Sequence, residues 1–319
     1  MWYTVWRKRW KKEESITVET SKKSQRTGIF FVILSAVLFG TMPLLAKIAY
    51  AHGANAYTVV FGRFAFGAAT TAVIIAASPR LSFRVTAGEF RQLLVVSLFC
   101  AITPVLLYSS YRYVSSGLAT TLHFTYPVSV MILGALFFRT PLRARQVVCL
   151  LICAAGILCF YQPGESEGVE GMVIAVVSGV TFALYILLLG KSGLDHVPML
   201  TVSFWLSLLS TVEIGAFARL TGQLHLNLPW QAWTAIALLG VFVAALAQVL
   251  FQTGVFLCGE VKASLLSTFE PLTGVVIGIL VFREALTIRI AAGIALILLA
   301  AVLLVAAPEK RNPAETATE

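Results

Sequence analysis

The chain has 319 residues, of which 58% are hydrophobic and 12% charged, and its mean hydropathy is +0.87. Soluble domains carry about 25% charged residues, so these totals exclude a water-facing fold. The net charge of +9 resembles that of a nucleic-acid binder, but eight of the 24 Lys and Arg residues precede position 28 and apolar runs fill most of the remainder. That layout is a membrane protein with a basic cytoplasmic tail, and no nucleic acid is expected as a partner.

Residues 1–27 form the tail. Trp2, Trp6 and Trp10 recur every four positions among Arg7, Lys8, Arg9, Lys11 and Lys12. This spells either an amphipathic turn on anionic headgroups or a disordered segment. It has no apolar run of the kind a cleavable signal peptide needs.

Ten apolar runs follow, each about the 20 residues a bilayer requires. They fall near 28–49, 57–78, 92–112, 116–138, 145–161, 170–190, 199–219, 231–254, 261–283 and 288–307. The connections between them are short. The expected fold is therefore all-α, a polytopic membrane protein of ten transmembrane helices. With a cytoplasmic amino terminus, 18 Lys and Arg face inside and five face outside, with Arg63 inside a span. Both termini are thus expected to be cytoplasmic, in a cell (inner) membrane. The five cysteines lie in or beside apolar runs with no His-rich neighbours. They read as small buried side chains, so neither a metal nor a cofactor is expected.

The fourth and ninth spans are copies of one another. YVSSGLATTLHFTYPVSVMILGALFFRTPLRAR, from Tyr113, aligns without a gap to LCGEVKASLLSTFEPLTGVVIGILVFREALTIR, 144 residues later. Pro127 meets Pro271, Gly134 meets Gly278, and Arg139 and Arg145 meet Arg283 and Arg289. The first and sixth spans pair more weakly, SAVLFGTMPLL from Ser35 with SGVTFALYILL from Ser178. The units are expected at 28–161 and 169–307, before a short cytoplasmic tail at 308–319. Five spans per copy is an odd number, so the second copy enters the membrane upside down. Inverted repeats of this kind are a transporter architecture.

Glu270–Pro271 in the ninth span matches Tyr126–Pro127 in the fourth. A proline removes one helical hydrogen bond, which is expected to free the carbonyls of Ser267 and His123. A carboxylate at bilayer centre costs about 2.5–3.5 kcal/mol on insertion scales. Two broken turns facing each other near the symmetry axis give both expenses a purpose, because they offer polar groups to a solute that lipid cannot solvate.

Ten spans in two halves, a proline in spans four and nine, a glycine-bearing helix and an R-x-x-L end resemble the EamA family of drug/metabolite transporters. The residues that carry the resemblance are SSGLATTLHFTYPVSVMILGALFFRTPL, GEVKASLLSTFEPLTGVVIGILVFREAL and the RFAFGA run from Arg63. The chain departs from the pattern at Thr140, where many members have Glu, while the second copy keeps Glu284. The resemblance implies a secondary transporter, a permease or exporter of a small organic metabolite such as an amino acid, nucleoside or drug-like compound. Alternating access is the implied mechanism, with a proton as coupling partner.

The candidates for substrate binding or proton coupling follow. Glu270 suits an amine or a proton, and Arg63 a carboxylate. His123, one turn before Pro127, suits a proton relay or an aromatic wall, beside Tyr126. Ser267 belongs to the broken turn. Trp205, Tyr185 and Gln252 lie deep enough in their spans to line a cavity, and Pro127 and Pro271 are the kinks. Glu213 in the seventh span needs a partner that the sequence does not name. The partners expected are the small solute, the bilayer, a proton, and at most a second copy of the chain, as monomer or homodimer. A passive facilitator on the same scaffold is the alternative function. An intramembrane enzyme is remote: Asp195 is the single aspartate, no HExxH is present, and no nucleophile motif supports Ser129 with His123.

Overall fold

A computed structural model describes residues 22–114, 116–139, 144–159, 168–282 and 288–306. Over these residues the chain is helical, and its helices run as ten rods. The first rod is α1 (Lys22–Phe39) and α2 (Met42–Ala51), the second α3 (Ala56–Ala77) and the third α4 (Ala87–Ser110). The fourth is α5 (Ser116–His123) with α6 (Tyr126–Phe138), the fifth α7 (Ala144–Leu158), the sixth α8 (Val169–Gly190) and the seventh α9 (Met199–Leu220). The eighth joins α10 (Trp230–Leu238), a π-helical segment (Leu239–Ala247) and α11 (Gln248–Cys258). The ninth is α12 (Glu260–Leu266) with α13 (Phe269–Phe282), and the tenth is α14 (Ile288–Ala306).

Among the described residues, six segments are long and apolar enough to cross a membrane: Ser24–Ala51, Ala56–Ala77, Ala87–Ser110, Val169–Gly190, Met199–Leu220 and Trp230–Cys258. Side chains such as Val73, Leu136, Leu151 and Val212 are exposed on the outer faces of the rods, where acyl chains replace water as their solvent. The helices begin where the sequence supplies caps. Thr86 and Glu89 close a reciprocal capping box at the start of α4. The Asn55 side chain accepts from the Thr58 N–H at the start of α3.

The two halves interlock rather than stand side by side. α1 packs on α11 and α4 packs on α8; α3 packs on α9 and on the π segment, and α7 packs on α14. One contact occurs twice. Gly28 on α1 abuts Leu257 and Cys258, so closely that an added Cβ would lie 2.6 Å from the Leu257 Cβ. Gly171 on α8 abuts Tyr113 and Val114, and an added Cβ would lie 2.5 Å from the Tyr113 Cβ. Gly28 and Gly171 are 143 residues apart, and Tyr113 and Leu257 are the residues at which the two copies align at 144. Ser35 and Ser178, also 143 apart, each turn their hydroxyl back on the carbonyl three residues earlier, at 2.7 and 2.6 Å. The fold is two inverted five-helix repeats, and each copy closes the other.

Cβ atoms almost never approach within 3.0 Å of other heavy atoms, so a side chain at either glycine forces α1 from α11 or α8 from the turn that follows α4. We predict that Gly28→Leu and Gly171→Leu each lower thermal stability in detergent by about 1–3 kcal/mol, the usual cost of overpacking, and by similar amounts. Gly88→Ala, whose Cβ would meet only Thr86 Oγ1 at 3.9 Å, is predicted to leave the midpoint unchanged.

Candidate functional site

Five of the rods carry a defect in their backbone ladder, and one cavity touches all five. The first rod breaks at Gly40–Thr41, ahead of Pro43. The third carries Pro104 inside α4, which removes the donor for the Cys100 carbonyl. The fourth turns at Phe124–Thr125, ahead of Pro127, and the ninth at Ser267–Thr268, ahead of Pro271. In the eighth, nine residues of π helix shift the register before Gln248. The cavity is lined by Phe39 and Met42 at the first defect and by Cys100, Thr103, Pro104, Leu107 and Tyr108 at the second. His123, Glu270 and Gln248 come from the other three, and Arg63, Phe182, Tyr185 and Phe251 complete the wall.

The breaks pack on one another. A Cβ on Gly40 would lie 2.7 Å from the Glu270 carbonyl, and one on Gly179 would lie 2.6 Å from the His123 carbonyl. Thus the first rod seats the ninth rod's break, and the sixth seats the fourth's. The Ser267 carbonyl, expected to be free, instead accepts the Glu270 N–H at 2.9 Å. The turn tightens by one residue and recovers the bond that the proline would have cost.

Charge is concentrated on opposite walls. Arg63 on α3 is 5% exposed, and its only acceptor among the described residues is the Met42 sulfur, 3.4 Å from Nη1; its Nε has none. Glu270 is 7% exposed. No N–O contact within 4.0 Å joins the two, although they interact electrostatically across the space between them. The Tyr108 hydroxyl is buried beside the Arg63 guanidinium without a well-formed hydrogen bond. The Tyr126 hydroxyl, against Glu270 and Ser267, likewise lacks one.

The remaining wall is aromatic and hydrogen-bonded. Phe182 stacks on Tyr185 and Phe251 at 5.7 and 5.8 Å and meets Tyr126 edge-on at 4.8 Å. His123 lies 5.4 Å from both Tyr126 and Phe182. The Ser178 hydroxyl commits its hydrogen to the Ala175 carbonyl at 2.6 Å, so it accepts from His123 Nδ1–H at 2.9 Å. That assignment leaves His123 Nε2 as an acceptor. Gln252 donates to the Tyr185 hydroxyl at 3.2 Å, and Gln248 donates to the Cys100 sulfur at 3.1 Å.

Of the residues singled out in the sequence, Glu270, Arg63, His123 and Tyr185 line the cavity. Tyr126, Gln252 and Ser267 stand behind them, with the Ser267 hydroxyl on the Ala263 carbonyl at 2.8 Å. Trp205 does not belong there. Its indole donates to the Phe83 carbonyl at 2.8 Å and its ring packs on Phe90 and Phe204, so it ties α9 to the loop between α3 and α4. Thr140, Arg283, Glu284 and residues 1–21 and 308–319 lie outside the described residues; α1 already begins at Lys22, within the stretch expected to be tail. Of the other lining residues, Phe39 and Phe182 are partners in the weak alignment of the first and sixth spans, 143 residues apart, whereas Leu107 and Phe251 carry no polar or symmetry signal in the sequence. Among the described residues no three His, Cys, Asp or Glu come together as a metal site.

The comparisons agree with this architecture. The EamA-like transporter family matches residues 26–162 and again 169–306. The chain belongs to that family. It is 31% identical over 190 residues to an uncharacterized transporter of Synechocystis, covering 57% of this chain and 56% of that protein. It is 26% identical over 276 residues to an uncharacterized transporter of Archaeoglobus fulgidus, covering 86% of this chain and 95% of that one. A solved crystal structure at 16% identity superposes with a TM-score of 0.71, over 87% of this chain and 96% of that one, and shares the fold. The protein is a multi-pass membrane transporter.

A buried hydroxyl without a partner costs about 1–3 kcal/mol. We predict that Tyr108→Phe changes thermal stability in detergent by no more than about 1 kcal/mol, because the hydroxyl stands beside Arg63 without closing a well-formed hydrogen bond. A drop of the midpoint by several degrees would assign the hydroxyl a structural role.

Proposed function

We propose that the protein is a secondary transporter, working by alternating access, for a small zwitterion with an apolar or aromatic body, of which an amino acid is the simplest example. One observation carries the reading: a guanidinium and a carboxylate face the same cavity and neither pairs with the other. An isolated charge in a low-dielectric interior is costly. A solute that brings a carboxylate to Arg63 and an ammonium to Glu270 relieves both at once, the first by a bidentate bond. The stacked rings of Phe182, Tyr185 and Phe251 then receive its body.

In this conformation the space open to the centre of a water molecule is about 50 Å³, enough for a few waters and too small for such a solute. Both ends are bolted across the repeats. At one end Asn55 donates to the Gln223 carbonyl at 2.7 Å and the His225 N–H donates to Thr58 at 3.0 Å. At the other, Glu89 pairs with His196 at 2.7 Å, and Thr201 and Trp205 donate to the Ser82 and Phe83 carbonyls at 2.8 Å. Rocking one repeat against the other releases one set while keeping the second. The Lys and Arg bias of 18 to five favours cytoplasmic termini in a cell inner membrane.

The test is transport in proteoliposomes of L-phenylalanine, of its amide and of its deaminated acid, with and without a pH gradient. The zwitterion is expected to be carried and both singly charged analogues refused. Glu270→Gln and Arg63→Gln each are expected to lower its transport ten- to a hundredfold, the scale of one charge-assisted hydrogen bond of about 1.5–3 kcal/mol. Equal transport of the amide or the acid would overturn the zwitterion. Equilibration without accumulation under any ion gradient would assign a passive facilitator.

A further inference from the structure

Glu213 plays no part in the cavity. It lies on α9 against α4, half-buried, and its Oε1 is 2.6 Å from the Ser97 hydroxyl while its Oε2 is buried with no partner among the described residues. Ser97 lies ten residues after the start of α4 and thirteen before its end, which at about 1.5 Å per residue is mid-depth in a bilayer. α9 presents further hydroxyls along the same rod. Ser203 and Ser207 are fully buried without partners, and Ser210 donates to the Ser97 carbonyl at 3.4 Å. Residues 203, 207 and 210 are spaced as one helical face. Such a stripe is out of place at a packing seam unless something polar uses it.

The hydrogen count at Ser97 identifies the use. Its hydroxyl has one hydrogen and two oxygens in reach, Glu213 Oε1 at 2.6 Å and the Leu94 carbonyl at 2.9 Å. With Glu213 ionised, Ser97 donates to the carboxylate and the Leu94 carbonyl loses this bond. With one proton added from water, the Glu213 O–H donates to Ser97 and the Ser97 hydrogen swings to Leu94. The chain Glu213 to Ser97 to Leu94 is then complete, and no charge remains in the α4–α9 seam. We infer that Glu213 is a proton-binding site in the α4–α9 seam, separate from the solute cavity and joined to it through Cys100.

Cys100 makes that junction. It lies beside Ser210 and Glu213 on the seam side, faces Arg63 on the other, and accepts from Gln248 in the cavity wall. Among titratable groups on the helices packed against α9, Cys100 on α4 is the one in electrostatic contact with Glu213, and Arg63 on α3 faces Cys100 from the cavity. The π segment carries no titratable side chain, and α11 brings the neutral Gln248 and Gln252. Glu89 at the start of α4 is engaged with His196 at the membrane edge. No cation on these elements stands within 4.0 Å of the Glu213 carboxylate to hold it ionised.

The test is pH-titrated infrared difference spectroscopy of the full chain in lipid vesicles, read at the carbonyl stretch of a protonated carboxyl. A titrating band of one carboxyl is expected in the wild type, lost in Glu213→Gln and kept in Glu270→Gln. Ser97→Ala removes the acceptor of the acid proton and is expected to shift the frequency of that band, a readout that does not depend on the Glu213 variant folding. A band unaltered by both Glu213→Gln and Ser97→Ala, or the lack of any titrating band, would overturn the assignment. A band that answers to sodium in place of pH would replace the proton by a hard cation.

Discussion

A bilayer solvates no backbone polar group, so each interruption of a spanning helix must be turned toward protein or a wet cavity. This constraint organises the molecule. Breaks at Gly40–Thr41, Phe124–Thr125 and Ser267–Thr268, Pro104 and the π segment before Gln248 all face one place. The bundle cannot seal around so many defects with apolar side chains alone. What it leaves at their meeting point is a small cavity with one cation, one carboxylate and a ring of aromatics.

The inverted repeat explains why the defects converge. A local axis that relates the fourth rod to the ninth sets the breaks ahead of Pro127 and Pro271 at matching depths, whereas the break at Gly40–Thr41 has no counterpart in the continuous α8. The glycine contacts of α1 on α11 and of α8 on the turn after α4 keep the copies in register. Function then resides where the symmetry fails. Tyr126 and Glu270 occupy equivalent places in their halves, and only one of them is charged. Arg63 is set against Glu270. A symmetric scaffold thereby holds an asymmetric, dipolar site, which can stay in place while the two ends are bolted and released in turn.

Much of this was legible in the sequence. The apolar runs gave the rods, the 144-residue offset gave the inversion, and a Glu–Pro pair inside an oily run marked the site, since both residues are too costly there by chance. Other features were silent for physical reasons. The π segment reads LGVFVAALA, indistinguishable in composition from ordinary helix, and the seat of its Gly240 against Phe66 and the Arg63 carbonyl of α3 joins residues about 175 positions apart. The break at Gly40 depends on Thr273 and the Glu270 carbonyl, 230 and more residues along the chain. Trp205 was misplaced because depth along a span does not say which face a ring adopts. Glu213 was visible as an anomaly, but its partner Ser97 lies 116 residues away, and no spacing rule names it.

The account rests on the second repeat crossing the membrane opposite to the first. His52 and Asp195 follow the first and sixth spans at equivalent positions, 143 residues apart. The most direct measurement is labelling of His52→Cys and Asp195→Cys by a membrane-impermeant maleimide in intact and in permeabilised cells. The inverted scheme predicts that position 52 reacts in intact cells and position 195 only after permeabilisation. Reaction of both positions from the same side would contradict it.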